Sequence, residues 1–383
     1  MKRPLLLITL LVCIPAGAQT ESISKVEEYL RQATELRHKG DLEAAIAAYD
    51  KALTLKPQDA LIYDLRGLLQ RKRNKPDEAL SDFTRAISLS PYMAEAYSAR
   101  ALIEIERNQN NEALADLNHA IDYSPKYAEA YSNRCMLRSK LKDYAQARTD
   151  CEQAIELYPT LAEAHYNHGL AELGLGNLDA ALEDFAKTTA LNPTDKKALY
   201  NHALINRKLK NPDAALTDLD KAIEIDSCYA LAFDLRGLVH ADKADLLSAI
   251  RDFDKAITCD SRVPTFYYNR ALVRFQRQNV AGALADLDEA IDLDPKLAEA
   301  LVNRSYVKFL MKDFDGSLAD VNRALEINPN NARAYGDRAL ALYAKGNDAA
   351  ADEDLKKCFA LDASLRPFYE KVVSAIKQNR GRS

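Results

Sequence analysis

The chain has 383 residues, 48% of them apolar, with only 12 glycines and no tryptophan, a mixture that favours close-packed helices over sheet. Its 52 basic residues stand against 57 acidic ones, so the net charge of −5 gives no broad electrostatic reason to bind nucleic acid. The densest basic run, Arg71-Lys72-Arg73-Asn74-Lys75, is short and reads as a solvated turn.

The first element is a targeting segment. Lys2 and Arg3 precede a mostly apolar run from Leu5 to Ile14, and Pro15 then leads into Ala16-Gly17-Ala18, the small-x-small pattern of a secretory cleavage site. A bilayer needs about 20 apolar residues, so this run is too short to span one. A lipid anchor at Cys13 fits poorly, because Val12 stands where such signals carry a small residue. The expectation is cleavage after Ala18, a mature start at Gln19 and export, to a bacterial periplasm or similar secretory space. The chain from Gln19 keeps 50 basic residues and all 57 acidic ones, a balance of −7. No later stretch qualifies as a membrane span. Ser24 and Glu27 then read as a capping box opening the first helix.

From there the prolines set a grid. Pro57, Pro91, Pro125, Pro159 and Pro193 stand 34 residues apart, and Pro295 and Pro329 resume the series beyond Ser227 and Ser261. Proline ends helices, so the grid marks boundaries. Numbering each unit 1 to 34 from Val26, ten units fill residues 26–365 without insertion or deletion. Position 8 is always small (Ala33, Gly67, Ala101, Cys135, Gly169 and so on), and position 20 is Ala in nine units and Ser317 in the other. Position 27 is Ala in eight units, with Thr188 and Cys358 the exceptions. Position 4 is usually aromatic and position 24 bulky. Apolar residues at 4, 8 and 11, and again at 20, 24, 27 and 28, have helical spacing. A break near Lys39-Gly40-Asp41 and its equivalents folds each unit into an antiparallel hairpin. One hairpin cannot bury its own apolar face, so each stacks on the next. Arg366–Gln378 reads as a last amphipathic helix, with Phe368, Val372, Val373 and Ile376 on the face that closes the stack.

This pattern resembles the tetratricopeptide repeat family, whose 34-residue signature has small residues at 8, 20 and 27 and proline at 32. The resemblance implies an all-α, right-handed superhelical solenoid of ten antiparallel hairpins plus a C-terminal capping helix. Residues 1–18 would be the signal, 26–365 the repeats and 366–383 the cap and a basic tail. It also implies a non-catalytic scaffold for protein–protein interaction, binding extended partner segments in a groove lined by the first helices. The alternative is an envelope assembly subunit that docks by its convex face or its ends.

No phosphate-cradling glycine loop, HExxH, GxSxG or paired-cysteine knuckle occurs, so no catalytic residue, cofactor or metal is expected. His165 and His168 have helical spacing and His202 repeats the register of His168. Zinc ligands at matching positions are not evident, and His165 instead takes the aromatic position 4. His168 and His202 replace an arginine found at position 7 in Arg66, Arg100, Arg134, Arg236, Arg270, Arg304 and Arg338. Position 23 is Asp in the same nine units, from Asp82 to Asp354, which reads as pairing between facing helices rather than an anion track. Five cysteines remain beyond the signal. Cys135 and Cys151 lie at similar height on facing helices; they can bridge, but the reading adopted is of small buried apolar residues.

The groove stripe takes in positions 2, 5, 6, 9 and 13. Asparagine recurs at position 6 as Asn133, Asn167, Asn201, Asn269 and Asn303, although it is a mediocre helix-interior residue. Tyr166, Tyr200 and Tyr268 lie beside it at position 5, and Tyr306 at position 9. Two readings stay open. Either the amides form a ladder that grips a peptide backbone, or they bond to the neighbouring hairpin. A two-carboxylate clamp of the kind known in the family is excluded, because no unit has lysine at position 5 or asparagine at position 9.

Overall fold

A computed structural model describes residues 16–380, with burial and side-chain contacts from Ser24 onward; residues 1–15, the basic start and apolar run of the expected signal, lie outside the described residues. The chain divides into two compact units, one ending at Asn192 and the other beginning at Pro193. All regular structure among the described residues is helical.

The first unit contains α1 (Ala16–His38), α2 (Leu42–Leu55), α3 (Ala60–Lys72), α4 (Pro76–Leu89) and α5 (Ala94–Glu106). It continues with α6 (Asn110–Tyr123), α7 (Ala128–Lys140), α8 (Tyr144–Leu157), α9 (Ala162–Leu175) and α10 (Leu178–Leu191). The second contains α11 (Lys196–Lys208), α12 (Pro212–Ile225), α13 (Ala230–Asp242), α14 (Leu246–Cys259), α15 (Pro264–Gln276) and α16 (Val280–Leu293). It ends with α17 (Ala298–Leu310), α18 (Phe314–Ile327), α19 (Ala332–Ala344), α20 (Asp348–Leu361), a short 3-10 turn at Ala363–Leu365 and α21 (Arg366–Arg380). Odd and even helices pair as the hairpins that the 34-residue grid dictates.

Size complementarity sets the packing inside each hairpin. A Cβ on Gly67 would lie 2.8 Å from the Phe83 ring, and one on Gly237 would lie 2.7 Å from Phe253. Position 8 is therefore glycine where position 24 is phenylalanine, and alanine where it is leucine, as in Ala101 with Leu117. The turn repeats as well. Position 15 is left-handed in every hairpin, from φ 59° at Asn108 to 84° at Gly176 and Gly346. Only three of these residues are glycine; Lys142, Ala244 and others adopt a conformation that costs an L-residue about 1–2 kcal/mol. The backbone bonds that close the helix, such as Lys75 N–H to the Gln70 carbonyl at 2.9 Å, hold them there.

Three expectations are corrected. Helix α1 begins at Ala16, so Ser24 and Glu27 sit inside it and cap nothing. Cys135 and Cys151 form a disulfide, Cα–Cα 5.5 Å, joining α7 to α8. A second bridge, Cys228–Cys259, ties the turn before α13 to the end of α14, and Cys358 is the free, buried thiol. Finally, α21 caps the second unit through Tyr369 and Val373, while Phe368 is 46% exposed. Tyr369 stands 34 residues after Tyr335, at position 4 of an incomplete further unit, so the aromatic register marked it. Its hydroxyl donates to Asp337 at 2.8 Å, and its ring occupies the space a Cβ on Gly336 would need.

Candidate binding face

The ladder between positions 7 and 23 is formed throughout both units. Arg66 grips Asp82 with Nε and Nη2 at 2.9 and 2.6 Å, and Arg270 grips Asp286 at 3.0 and 2.6 Å. The third guanidinium nitrogen reaches position 25 of the preceding hairpin: Arg66 to Asp50 and Arg270 to Asp254, both at 2.6 Å. One planar fork therefore joins three helices, which a lysine cannot do. It also lies over the position 4 ring, 5.4 Å from Tyr63 in the first case. These arginines are held charged inside the solenoid, so they do not form an anion track.

The histidines fill the same roles. His165 Nε2 donates to the Pro159 carbonyl at 3.0 Å, the contact that Tyr63 and Tyr131 make through their hydroxyls to Pro57 and Pro125. His168 Nδ1 donates to Asp184 at 2.6 Å, and His202 Nδ1 to Asp218 at 2.7 Å. Burial works against the imidazolium of His168, but Asp184 and Glu172 outweigh it and hold the group above its ordinary range.

The asparagines are placed differently from a peptide-gripping ladder. Asn133 Nδ2 donates to Ser98 Oγ at 3.0 Å, and Asn167 Nδ2 donates to Ser132 Oγ and its carbonyl at 3.0 and 3.1 Å. In the second unit Asn269 donates to Asp234 at 2.9 Å, and Asn303 donates to the Tyr268 hydroxyl at 3.2 Å. Each bond runs from position 6 of one hairpin to position 5 of the one before, 35 residues back. The amide N–H groups thus tie neighbouring first helices together, and Asn167 is buried. Asn201 occupies the same position 6 on α11. The tyrosines are half-buried: Tyr166 packs 5.6 Å from the Phe185 ring, Tyr200 5.9 Å from Tyr229 and Tyr306 6.1 Å from Phe275.

Two cavities open on the first helices. In the second unit one of about 340 Å³ is lined by Leu272, Phe275, Asn303, Tyr306, Arg333 and Phe368. In the first unit one of about 510 Å³ lies along α3, α5, α7 and α9, with Asp64, Glu95, Glu129 and Glu163 on its walls beside Ser98, Ser132 and Asn133. Glu95, Glu129 and Glu163 share position 2 of the groove stripe, where their common charge is legible in the sequence. A larger depression of about 780 Å³ near Pro57 and Met93 contains no buried charged group. Among the described residues no helix is long and apolar enough to cross a membrane.

Comparison with known proteins agrees with this geometry. Tetratricopeptide repeat families match residues 33–72, 65–128, 128–161, 166–227, 235–298, 298–331 and 332–365. Among curated proteins none matches the chain. The fold is similar to the crystal structure of a tetratricopeptide repeat protein from Parabacteroides merdae, 23% identical with a TM-score of 0.50, over 65% of this chain and 99% of that one. It is also similar to the crystal structure of the APC/C hetero-tetramer Cut9–Hcn1, 14% identical with a TM-score of 0.55, over 94% of this chain and 88% of that one. With the period, the small residues at 8, 20 and 27 and the family matches in agreement, the chain belongs to the tetratricopeptide repeat family.

Proposed function

We propose that the protein is an exported, non-catalytic scaffold that holds an extended segment of a partner protein against the first-helix face of α3, α5, α7 and α9. The observation that carries this reading is the cavity of about 510 Å³ on that face. Its exposed walls, Leu68, Glu95, Glu129 and Glu163, are not needed to hold the hairpins together, whereas the buried rows at positions 8, 20 and 27 are. Export is supported by the basic and apolar start of the sequence and by two disulfides, which persist in oxidising compartments. Mass spectrometry of an envelope fraction should find Gln19 as the mature N-terminus. Leu68→Trp fills the cavity from an exposed position, so it should abolish partner capture with the thermal melt unchanged. Retained capture would place the docking surface on the convex face or the ends.

A further inference from the structure

The ties between positions 5 and 6 leave one acid without its donor. Asp234 and Asp64 occupy the same register, at position 5 of α13 and of α3. Asp234 accepts from Asn269, 35 residues on; the residue 35 after Asp64 is Ala99, which has no side-chain donor. Asp64 is only 4% exposed, its Oδ1 is buried with no hydrogen-bond partner, and both Asp64 and Ala99 line the cavity of the first unit. Burial, with Glu95 adding to it, pushes the Asp64 carboxyl up to about 6, so near neutral pH it is largely an anion. Its charged neighbour is a second acid rather than a cation. A buried carboxylate of this kind is costly until a cation or strong donor reaches it.

We propose that this cavity is a specificity site for a cationic side chain, a lysine or arginine of the extended partner segment, whose charged head reaches Asp64 beside Ala99. The proposal rests on the groove reading above and names its ligand chemistry. The cavity is large enough for a long aliphatic stem, and Leu68 and Leu102 supply apolar wall for it. Glu95, Glu129 and Glu163 stand exposed around the cavity and attract a basic segment before contact. Ala99 stands where Asn269 stands beside Asp234, so an asparagine at 99 would take the place of the partner's charged head.

The test is selection of a phage-displayed library of random linear peptides against the chain from Gln19 onward. Selected peptides should share one lysine or arginine. For a selected lysine peptide, Asp64→Asn in the protein, or norleucine for lysine in the peptide, should each weaken binding by roughly tenfold to a hundredfold. The two changes together should cost little more than either alone. Thermal melts establish that Asp64→Asn folds. A consensus without a cation, or equal norleucine losses in wild type and Asp64→Asn, overturns the proposal while leaving the groove reading standing, provided Leu68→Trp still abolishes binding. If no peptide is selected, or Leu68→Trp binds as wild type, the groove reading falls and the proposal with it.

Discussion

Asp64 in the first unit and Asp234 in the second are the same residue in the same register, and their surroundings differ by an amide and by the sign of the neighbouring charge, Glu95 beside Asp64 and Arg207 beside Asp234. Asn269 donates to Asp234, whereas Ala99 has no side-chain donor and the buried Asp64 Oδ1 has no hydrogen-bond partner. Burial raises both carboxyl groups to about 6, yet only one is satisfied within the protein. In a repeat array the packing code is copied, so a departure from the copy stands out against its own internal control. In the second unit the tie makes the site structural. In the first, its omission leaves an acid on the cavity wall without its donor.

The comparison can be broken in several ways. The largest effect is expected from the disulfides, because Cys135–Cys151 braces the hairpin that walls the cavity. Replacing both residues with alanine should cost about 3 kcal/mol, visible as faster hydrogen exchange in α7 and α8. Unchanged exchange would show the bridge adds nothing there. Next, Asn269→Ala turns the second unit's site into a copy of the first. It leaves Asp234 buried without its donor and should cost about 1–3 kcal/mol in denaturant melts, as should Asn167→Ala through Ser132. Losses near zero would return these asparagines to the role of partner contacts.

A pH series separates the two acids more finely. Each folded value near 6 exceeds the unfolded value of about 3.9, so stability favoured by the protonated acid is present below pH 4 and lost as pH rises through 6. The groups facing Asp64 are Glu95 on α5, which opposes its ionisation, and Tyr127 ahead of α7, whose hydroxyl is pushed up to about 12 by burial and stays neutral through this range. Asp64→Asn should therefore flatten the decline between pH 5 and 7 by about 1–2 kcal/mol. A parallel decline in wild type and variant would mean that Asp64 titrates normally. The smallest effect tests what the two units share. Lys142 and Ala244 both hold a left-handed turn, so glycine at either should add about 0.5–1 kcal/mol, equally in both units.

Features that recur with the period were legible in the sequence, since each was written many times. The hairpins, the Arg–Asp ladder and the substitution of His165 for an aromatic all follow from register alone. Features that occur once were not. Cys228 and Cys259 fall at positions 33 and 30 of different units, where no neighbour repeats them. The asparagine ladder was half read: the donors were seen, but their acceptors lie in the preceding unit at position 5 and vary from Ser98 and Ser132 to Asp234 and Tyr268. The 35-residue offset is the signal for these ties, and Ala99 is where an acid at position 5 is followed by no amide. The start of α1 at Ala16 had no such signal, because the capping pair at Ser24 and Glu27 also suits a helix interior.

The central claim is that the missing amide at position 99 opens the site. Ala99→Asn restores it, and the measurement is the affinity of a selected lysine peptide for wild type and Ala99→Asn, with thermal melts of both. The account predicts that Ala99→Asn gains about 0.5–1.5 kcal/mol of stability through a bond to Asp64 and loses the lysine preference altogether. A variant that binds the lysine peptide as tightly as wild type would contradict it.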